Sequence, residues 1–171
     1  MKPRLLILSD VFGGKNPEWV KLYIDLLELK FDIQYYDVLE LANITVLDFT
    51  EMDIHNQFLN GGIDKAVHNL LELEKDEVAV LGFSIGGTIA WKASLKGLKA
   101  SYLIAVSSTR LRYETHLPDC KIKLYFGDKD LNLPDLKWFS DMKVSRHFFE
   151  NQAHQLYLDQ NNVAVICNEF L

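Results

Sequence analysis

The sequence contains few cysteines and prolines, and basic side chains are not in excess. Its 171 residues include only two cysteines and four prolines, and the formal net charge at pH 7 is −6. Cys120 and Cys167 are too few for a disulfide scaffold and lack the spacing of a metal site, so we expect reduced structural thiols. An acidic chain lacks the clustered lysines and arginines of a nucleic-acid-binding surface, which argues against nucleic acid as a partner.

Long apolar runs are also absent. No run approaches the roughly 18 apolar residues of a membrane-spanning helix. The apolar stretch that follows Arg4 reaches Asp10 after only about five residues, too few for the apolar region of a signal peptide. We therefore expect a cytoplasmic protein without a membrane partner. With 49% hydrophobic and 25% charged residues, the composition is that of an ordinary globular protein.

What is present is an alternation of short apolar runs with longer runs of helical period, typical of a parallel sheet covered by helices. The predicted strands are residues 4–10, 31–38, 77–83, 100–108, 121–130 and 143–150. The predicted helices are residues 17–30, 52–73 after a loop, with a break at Gly61 and Gly62, then 86–96, 134–142 and 161–171. No linker or repeat marks a boundary, so we expect residues 1–171 to form a single domain. The predicted architecture is a three-layer α/β/α sandwich with a six-stranded, mainly parallel sheet.

Three glycines surround one serine in the stretch VLGFSIGGTIAW, residues 80–91. Gly82, Ser84 and Gly86 form a G-x-S-x-G pattern between a predicted buried strand and a predicted helix, which is the context of a nucleophile elbow. In such a sharp turn, side chains two positions before and after the serine would collide with neighbouring backbone. We expect Ser84 to adopt a strained conformation that costs about 1–3 kcal/mol. The alternative is a glycine-rich turn that only packs tightly or binds phosphate, although no phosphate-loop spacing is present.

With this elbow the sequence resembles the α/β-hydrolase family, over nearly the whole chain. The resemblance implies a small, lidless serine hydrolase without the N-terminal hairpin of larger members, in which serine, acid and histidine follow in that order. The family's acid follows the second strand after the elbow, often in the pattern G-x-x-D-x-x-x-P. GDKDLNLP matches with Gly127, Asp130 and Pro134. Asp130 is the predicted acid and Asp128 its rival, and both residue types are also common in turns.

The resemblance places the histidine after the last strand. The stretch HFFENQAHQLY offers His154 in the loop that follows that strand. His55 and His68 lie in the predicted helical segment before the elbow, where we expect surface or packing residues. His116 lies in a connecting loop and His147 inside a strand. Only His154 has the required order of elements.

The resemblance also implies an oxyanion hole made of two backbone N–H groups. One belongs to the residue after the nucleophile, Ile85. The second belongs to the loop after the first predicted strand, where family members often carry H-G-x-G-G and this chain has DVFGG, residues 10–14. Aligning the paired glycines makes Phe12 the predicted donor and Val11 the second choice. The alternative is that the glycines only let the loop turn.

In this interpretation Ser84 attacks a carbonyl carbon, His154 accepts the hydroxyl proton and Asp130 orients the imidazole. The expected substrate is a small ester or thioester, cleaved through an acyl-enzyme intermediate, and no metal or cofactor is implied. Only a short segment separates two strands where a lid would lie, so we expect a shallow pocket. The predicted substrate-binding residues are Val11, Arg110, Tyr113 and Trp138.

Two questions stay open from the sequence. Arg110 and Arg112 could attract an anionic substrate group, although an exposed loop explains them equally well. The second candidate function is a binding or scaffold protein that keeps the α/β-hydrolase fold without catalysis. Labelling by a fluorophosphonate probe would discriminate between an enzyme and a scaffold. Nothing in the sequence decides the oligomeric state.

Overall fold

A computed structural model describes residues 1–45 and 50–171 and shows one sheet of six strands in the order β2-β1-β3-β4-β5-β6. The strands are β1 (Arg4–Leu8), β2 (Asp32–Tyr36), β3 (Val78–Phe83), β4 (Ala100–Val106), β5 (Lys121–Gly127) and β6 (Ser145–Phe149). The helices are α1 (Glu18–Leu27), α2 (Val38–Leu41), α3 (Glu51–Gln57), α4 (Ile63–Leu73), α5 (Ile85–Leu95), α6 (Leu136–Met142) and α7 (Gln160–Asn168). Short 3₁₀ helices cover Thr109–Tyr113 and Leu156–Leu158.

The sheet is the middle of three layers, because alternate side chains of each strand point to opposite faces. Leu6 and Val80 belong to the apolar core shared with α2 to α6. Ile7 and Leu81 belong to the core shared with α1 and α7. β3 is buried along its whole length, as expected for a central strand covered by helices on both faces.

The predicted three-layer sandwich with six strands is confirmed, and all five strand pairings are parallel. The break in the predicted helix 52–73 is also confirmed, since Gly61 has a φ of +109° between α3 and α4. Helix α2 was not predicted from the sequence. Asp37 begins this helix by accepting a hydrogen bond of 2.9 Å from the backbone N–H of Leu39. Part of the loop predicted before α3, residues 46–49, lies outside the described residues.

The carboxyl ends of the parallel strands lie along one edge of the sheet, and the loops that leave them bring the candidate residues together. Between β4 and β5, residues 107–120 contain only the 3₁₀ helix Thr109–Tyr113, so this described connection carries no inserted lid. Among residues 1–45 and 50–171, no helix is long and apolar enough to span a bilayer.

Candidate active site

The turn between β3 and α5 holds Ser84 in an unusual backbone conformation. Its φ is 51° and its ψ is −118°, a region that non-glycine residues rarely occupy. The two flanking glycines allow this sharp turn. A Cβ at Gly82 would lie 2.5 Å from the Cα of Gly87, and one at Gly86 would lie 2.3 Å from the carbonyl oxygen of Ser9. The strain and the steric reason for these glycines therefore agree with the sequence-based expectation.

Ser84, His154 and Asp130 form a continuous chain of hydrogen bonds. The Oγ of Ser84 lies 2.9 Å from Nε2 of His154. Nδ1 of the same imidazole lies 2.7 Å from Oδ2 of Asp130. The tautomer that donates its Nδ1 proton to the carboxylate leaves Nε2 free to accept the serine hydroxyl proton. The Asp130 side chain is only 2% exposed, whereas the His154 side chain is 40% exposed and can meet a substrate.

The loop after β5 places Asp130, not its rival Asp128, against the imidazole. Asp130 accepts a hydrogen bond of 3.2 Å from the backbone N–H of Asn132 through its second oxygen, which fixes the carboxylate. Asp128 is exposed, and its backbone N–H donates to the carbonyl of Phe149. The close approach of this loop to the histidine loop requires Gly127, where a Cβ would lie 2.1 Å from the carbonyl oxygen of Gln152.

The loop that carries His154 is fixed from the end of β4. Ser107, the residue directly after β4, has a positive φ of 54°. Its hydroxyl donates a hydrogen bond of 2.6 Å to the carbonyl oxygen of His154. Ser108 donates to the carbonyl of Ser84 at 2.8 Å. The two serines after β4 therefore fix the backbone at Ser84 and at His154 through their hydroxyl groups.

The backbone N–H groups near Ser84 favour Val11 over Phe12 as the second oxyanion donor. The N–H of Phe12 donates at 3.1 Å to Oδ1 of Asp10, its side chain is 48% exposed, and it does not line the cleft at Ser84. This contact argues against the Phe12 prediction. Val11 and Ile85 both line the cleft, and no described residue accepts a hydrogen bond from either backbone N–H.

A second buried carboxylate lies beside this loop and was not singled out from the sequence. Asp10 is 3% exposed, and its Oδ2 accepts a hydrogen bond of 2.8 Å from the hydroxyl of Tyr157. Burial raises the pKa of Asp10, while the hydrogen bonds from Tyr157 and Phe12 lower it in part. Burial also raises the pKa of Tyr157, so its hydroxyl stays a donor. The contact ties the loop after β1 to the segment that follows His154.

The cleft at Ser84 has a volume of about 370 Å³. Its lining residues come from the ends of β1, β3, β4, β5 and β6 and from two helices: Val11, Glu51, His55, Ser84, Ile85, Thr88, Thr109, Arg110, Lys129, Asp130, Leu131, Asn132, Ala153 and His154. A separate groove of about 420 Å³ runs beside β2, and none of the three hydrogen-bonded residues lines it. The cleft, rather than that groove, therefore gives a ligand access to the serine.

Two of the four predicted substrate-binding residues line the cleft and two do not. Val11 and Arg110 do. Tyr113 is 62% exposed and lies outside the cleft, where the guanidinium groups of Arg110 and Arg112 pack on its ring. The prediction of Trp138 as a substrate-binding residue is wrong, because this side chain lies on the buried face of α6 and packs in the core. It is 9% exposed, packs near Trp91 and donates its indole N–H to the carbonyl of Glu114.

Several lining residues were not predicted, and three of them lie on α-helices. Glu51 and His55 belong to α3, which reaches the cleft from the connection between β2 and β3. His55 is exposed, as expected, but its position at the cleft was not anticipated. Thr88 lies one turn after Ser84 on α5. The i+4 spacing from the serine was a usable signal for Thr88, whereas no local signal predicts where α3 lies.

In the part of the chain that the structure describes, no group of three or more His, Cys, Asp or Glu side chains is placed to hold a metal ion. What the arrangement can do chemically is transfer a proton from the serine to the imidazole. The backbone N–H groups of Val11 and Ile85 are free to bind developing negative charge.

No protein-family model matches this sequence, and no curated protein matches it. Solved structures do match. A structure described as a hydrolase of the α/β superfamily from Xanthomonas campestris aligns with a TM-score of 0.71 at 16% identity, covering 99% of this chain and 98% of the other. A dienelactone hydrolase-like promiscuous phosphotriesterase from metagenomic libraries aligns with a TM-score of 0.69 at 14% identity, covering 99% and 85%.

A thioesterase domain from the curacin biosynthetic pathway aligns with a TM-score of 0.65 at 14% identity, covering 98% of this chain and 90% of that domain. At these identities the likeness establishes the fold, and the chain has the α/β-hydrolase fold that the elbow predicted. The descriptions of these neighbours differ, one naming a phosphotriesterase and another a thioesterase, so the fold alone does not choose a substrate.

Proposed function

We propose that this chain is a serine hydrolase that cleaves small esters or thioesters through an acyl-enzyme intermediate. Ser84 is the nucleophile, His154 the general base and acid, and Asp130 the residue that orients the imidazole and stabilises its charged form. The observation that carries this proposal is the pair of hydrogen bonds, 2.9 and 2.7 Å long, that joins hydroxyl, imidazole and carboxylate beside an open cleft. The hydrolase neighbours in fold support it.

In the first half of the reaction, Oγ of Ser84 forms a bond to the carbonyl carbon of the substrate while its proton moves to Nε2 of His154. The carbonyl oxygen becomes an oxyanion. When the tetrahedral intermediate collapses, the bond from the carbonyl carbon to the leaving oxygen or sulfur breaks. Nε2 gives its proton to the leaving group, and the acyl group stays on the serine.

In the second half, water takes the place of the alcohol or thiol. His154 accepts a proton from the water, whose oxygen attacks the acyl carbon. The bond to Oγ of Ser84 then breaks, and the imidazole returns the proton to the serine. The 40% exposure of the His154 side chain gives water access to Nε2, which supports this step.

The oxyanion is stabilised by the backbone N–H groups of Val11 and Ile85. We assign the second donor to Val11 because the N–H of Phe12 already donates to Asp10. Each donor contributes about 3–4 kcal/mol to the transition state in comparable sites. Ile85 is the first residue of α5, so its N–H also lies at the positive end of the helix dipole.

The test is the hydrolysis of 4-nitrophenyl esters by the wild type and by variants with matched controls. Ser84→Ala and His154→Ala should each lower kcat by about a millionfold, and the double variant should lose little more, because the residues act as a unit. Asp130→Asn should cost about 10⁴-fold. The controls are Ser101→Ala, His68→Ala and Asp128→Asn. Equal loss in a control and its catalytic counterpart would contradict the assignment.

The size of the cleft limits the acyl group. A volume of about 370 Å³ is at the small end for ligand sites, so a short acyl chain should be preferred. In an ester series of graded length, kcat/KM should fall beyond about eight carbons. A continued rise with longer chains would show a larger pocket than the one described.

A scaffold without catalysis remains the alternative function. It predicts no ester hydrolysis and no reaction of Ser84 with an acylating or phosphonylating probe in a folded sample. We further propose that residues 1–171 form a single domain, which is supported by the contribution of strands from residue 4 to residue 149 to one sheet. The cytoplasmic location stays a prediction from the sequence.

A further inference from the structure

One wall of the cleft carries an arginine, Arg110. Arg110 lies in the 3₁₀ helix Thr109–Tyr113 and lines the cleft with Ser84. Its guanidinium carbon lies 5.1 Å from the centre of the Tyr113 ring, and the next residue, Leu111, is fully buried and anchors the segment. Within residues 1–45 and 50–171, no carboxylate forms an ion pair with Arg110.

The neighbouring Arg112 is held differently. Its Nη1 donates a hydrogen bond of 2.9 Å to the carbonyl of Thr109, and its Nη2 donates one of 2.9 Å to the hydroxyl of Tyr113. It does not line the cleft. Of the two arginines in this segment, Arg110 alone therefore lines the cleft. Arg112 provides a control of the same charge two residues away.

A buried residue of the cleft lining, Thr88, carries a hydroxyl without a hydrogen-bond partner in the described part of the chain. Thr88 is 1% exposed and lines the cleft one turn after the nucleophile. Its Oγ1 has no hydrogen-bond partner among the described residues. Most buried side-chain polar atoms are hydrogen-bonded, and leaving one without a partner is destabilising. A polar group of the substrate would supply the missing partner after a rotation about χ1 of the threonine.

The cleft lining contains two cationic side chains, Arg110 and Lys129, and two carboxylates, Glu51 and Asp130. Lys129 adds a second exposed cation at the rim. The carboxylate of Asp130 is 2% exposed and hydrogen-bonded to His154, so a ligand does not meet it directly. Glu51 is exposed on α3 and is the one lining carboxylate, among the described residues, that would repel an anion.

We propose that the substrate is an ester or thioester that carries a carboxylate, which Arg110 binds through paired N–H donors with Thr88 as an additional polar contact. This inference rests on the proposed serine hydrolase activity. The carboxylate can belong to the acyl group or to the alcohol or thiol that leaves. Arginine suits it because the planar guanidinium matches both carboxylate oxygens.

The test compares each charged ester with its neutral counterpart. The acyl-side pair is 4-nitrophenyl hydrogen adipate and its methyl ester, and the leaving-group pair is 4-acetoxybenzoate and its methyl ester. Spontaneous hydrolysis is subtracted with Ser84→Ala. The wild type should prefer the carboxylate member of one pair by about tenfold or more in kcat/KM, and that pair identifies the side on which the anion lies.

Variants should change this preference in opposite directions. Arg110→Gln should lower the ratio of charged to neutral kcat/KM by about tenfold to hundredfold. Thr88→Val should lower it about threefold, whereas Thr88→Ser should keep it. Glu51→Gln should raise it about twofold, because an exposed repulsive charge is removed. Arg112→Gln should keep the wild-type ratio.

Two outcomes would overturn the inference: no preference for a carboxylate in either pair, or a preference that Arg110→Gln leaves intact. Fluorophosphonate labelling of Ser84 separates this failure from failure of the hydrolase proposal. A labelled wild type without carboxylate preference refutes only the anion site, and an unlabelled, inactive wild type refutes both. Calorimetry gives a readout that needs no turnover. The Ser84→Ala variant should bind adipate, and adding Arg110→Gln to this variant should abolish that binding. Equal binding by both proteins would also overturn the inference.

Discussion

The hydrogen bond between Tyr157 and Asp10 joins the loop that carries Val11 to the segment that follows His154, and Tyr157→Phe removes only its hydroxyl. The phenol is buried and donates at 2.8 Å to a carboxylate that is 3% exposed. Tyr23→Phe is a matched control. Its hydroxyl is also buried, in the same aromatic cluster, but donates at 2.9 Å to a neutral group, the carbonyl of Tyr157.

The expected loss of stability in each variant depends on whether the hydrogen-bond acceptor is charged. A hydrogen bond to a charged group contributes about 1.5–3 kcal/mol to the free energy of unfolding, and a neutral one about 0.5–1.5 kcal/mol. For a chain of this length each kcal/mol shifts Tm by about 2–4 °C. At pH 7 we therefore expect Tyr157→Phe to lower Tm by about 3–12 °C and Tyr23→Phe by about 1–6 °C.

The dependence on pH has a definite sign. Burial raises the pKa of Asp10 in the folded state, so its contribution to stability is fully present below the unfolded pKa of about 3.9 and is lost as pH rises through the folded pKa. The Tyr157 hydrogen bond lowers this folded pKa. Removing this hydrogen bond raises the folded-state pKa of Asp10 further and therefore increases the loss of stability at neutral pH. At pH 4 and below, the cost of Tyr157→Phe should approach that of a neutral hydrogen bond.

The assay is urea unfolding of the wild type and both variants between pH 4 and pH 8, followed by tryptophan fluorescence. The difference in unfolding free energy between Tyr157→Phe and Tyr23→Phe should be largest at pH 7 and shrink towards pH 4. A Tyr157→Phe cost no larger than that of Tyr23→Phe at pH 7, or a difference that does not change with pH, would refute the role assigned to the Asp10 charge.

Three other predictions concern the elbow, the histidine loop and the thiols. Gly86→Ala should destabilise the protein by about 1–3 kcal/mol in urea unfolding, because the new Cβ meets backbone oxygens at the end of β1 and not a movable side chain; an unchanged midpoint would contradict the tight elbow. Ser107→Ala removes the hydrogen bond to the carbonyl of His154 and should lower kcat about tenfold with little change in KM, and a change in KM alone would show a different role. Burial raises the pKa of Cys120 to about 11 and of Cys167 to about 12. Iodoacetamide at pH 8 should therefore alkylate the native thiols about 100-fold more slowly than the unfolded ones, and equal rates would contradict the raised pKa values of the two thiols.

The sequence was sufficient to predict the order of the strands along the chain and the residues that meet at Ser84. The elbow is a local pattern whose glycines have a local steric cause. Asp130 and His154 followed from the resemblance to the α/β-hydrolase family, in which serine, acid and histidine come in that order along the chain. These features depend on chain order and short-range sterics, which a sequence displays directly.

Other features depend on contacts between distant residues and could not be predicted in the same way. The choice between Phe12 and Val11 depends on where the Asp10 side chain points, and Tyr157, 147 positions away, holds that carboxylate. Trp138 faces the core because α6 packs on the sheet with that side inward. Glu51 and His55 line the cleft because α3 folds towards it.

The reactivity of Ser84 is the central claim, and covalent labelling measures it directly. A fluorophosphonate probe should add one phosphonyl group to the folded wild type, detected by intact mass, and peptide mapping should place it on Ser84. Ser84→Ala should take up none, and Ser101→Ala should be labelled like the wild type. A folded wild type that stays unlabelled, or a Ser84→Ala variant labelled to the same extent, would contradict the assignment of this serine as the nucleophile.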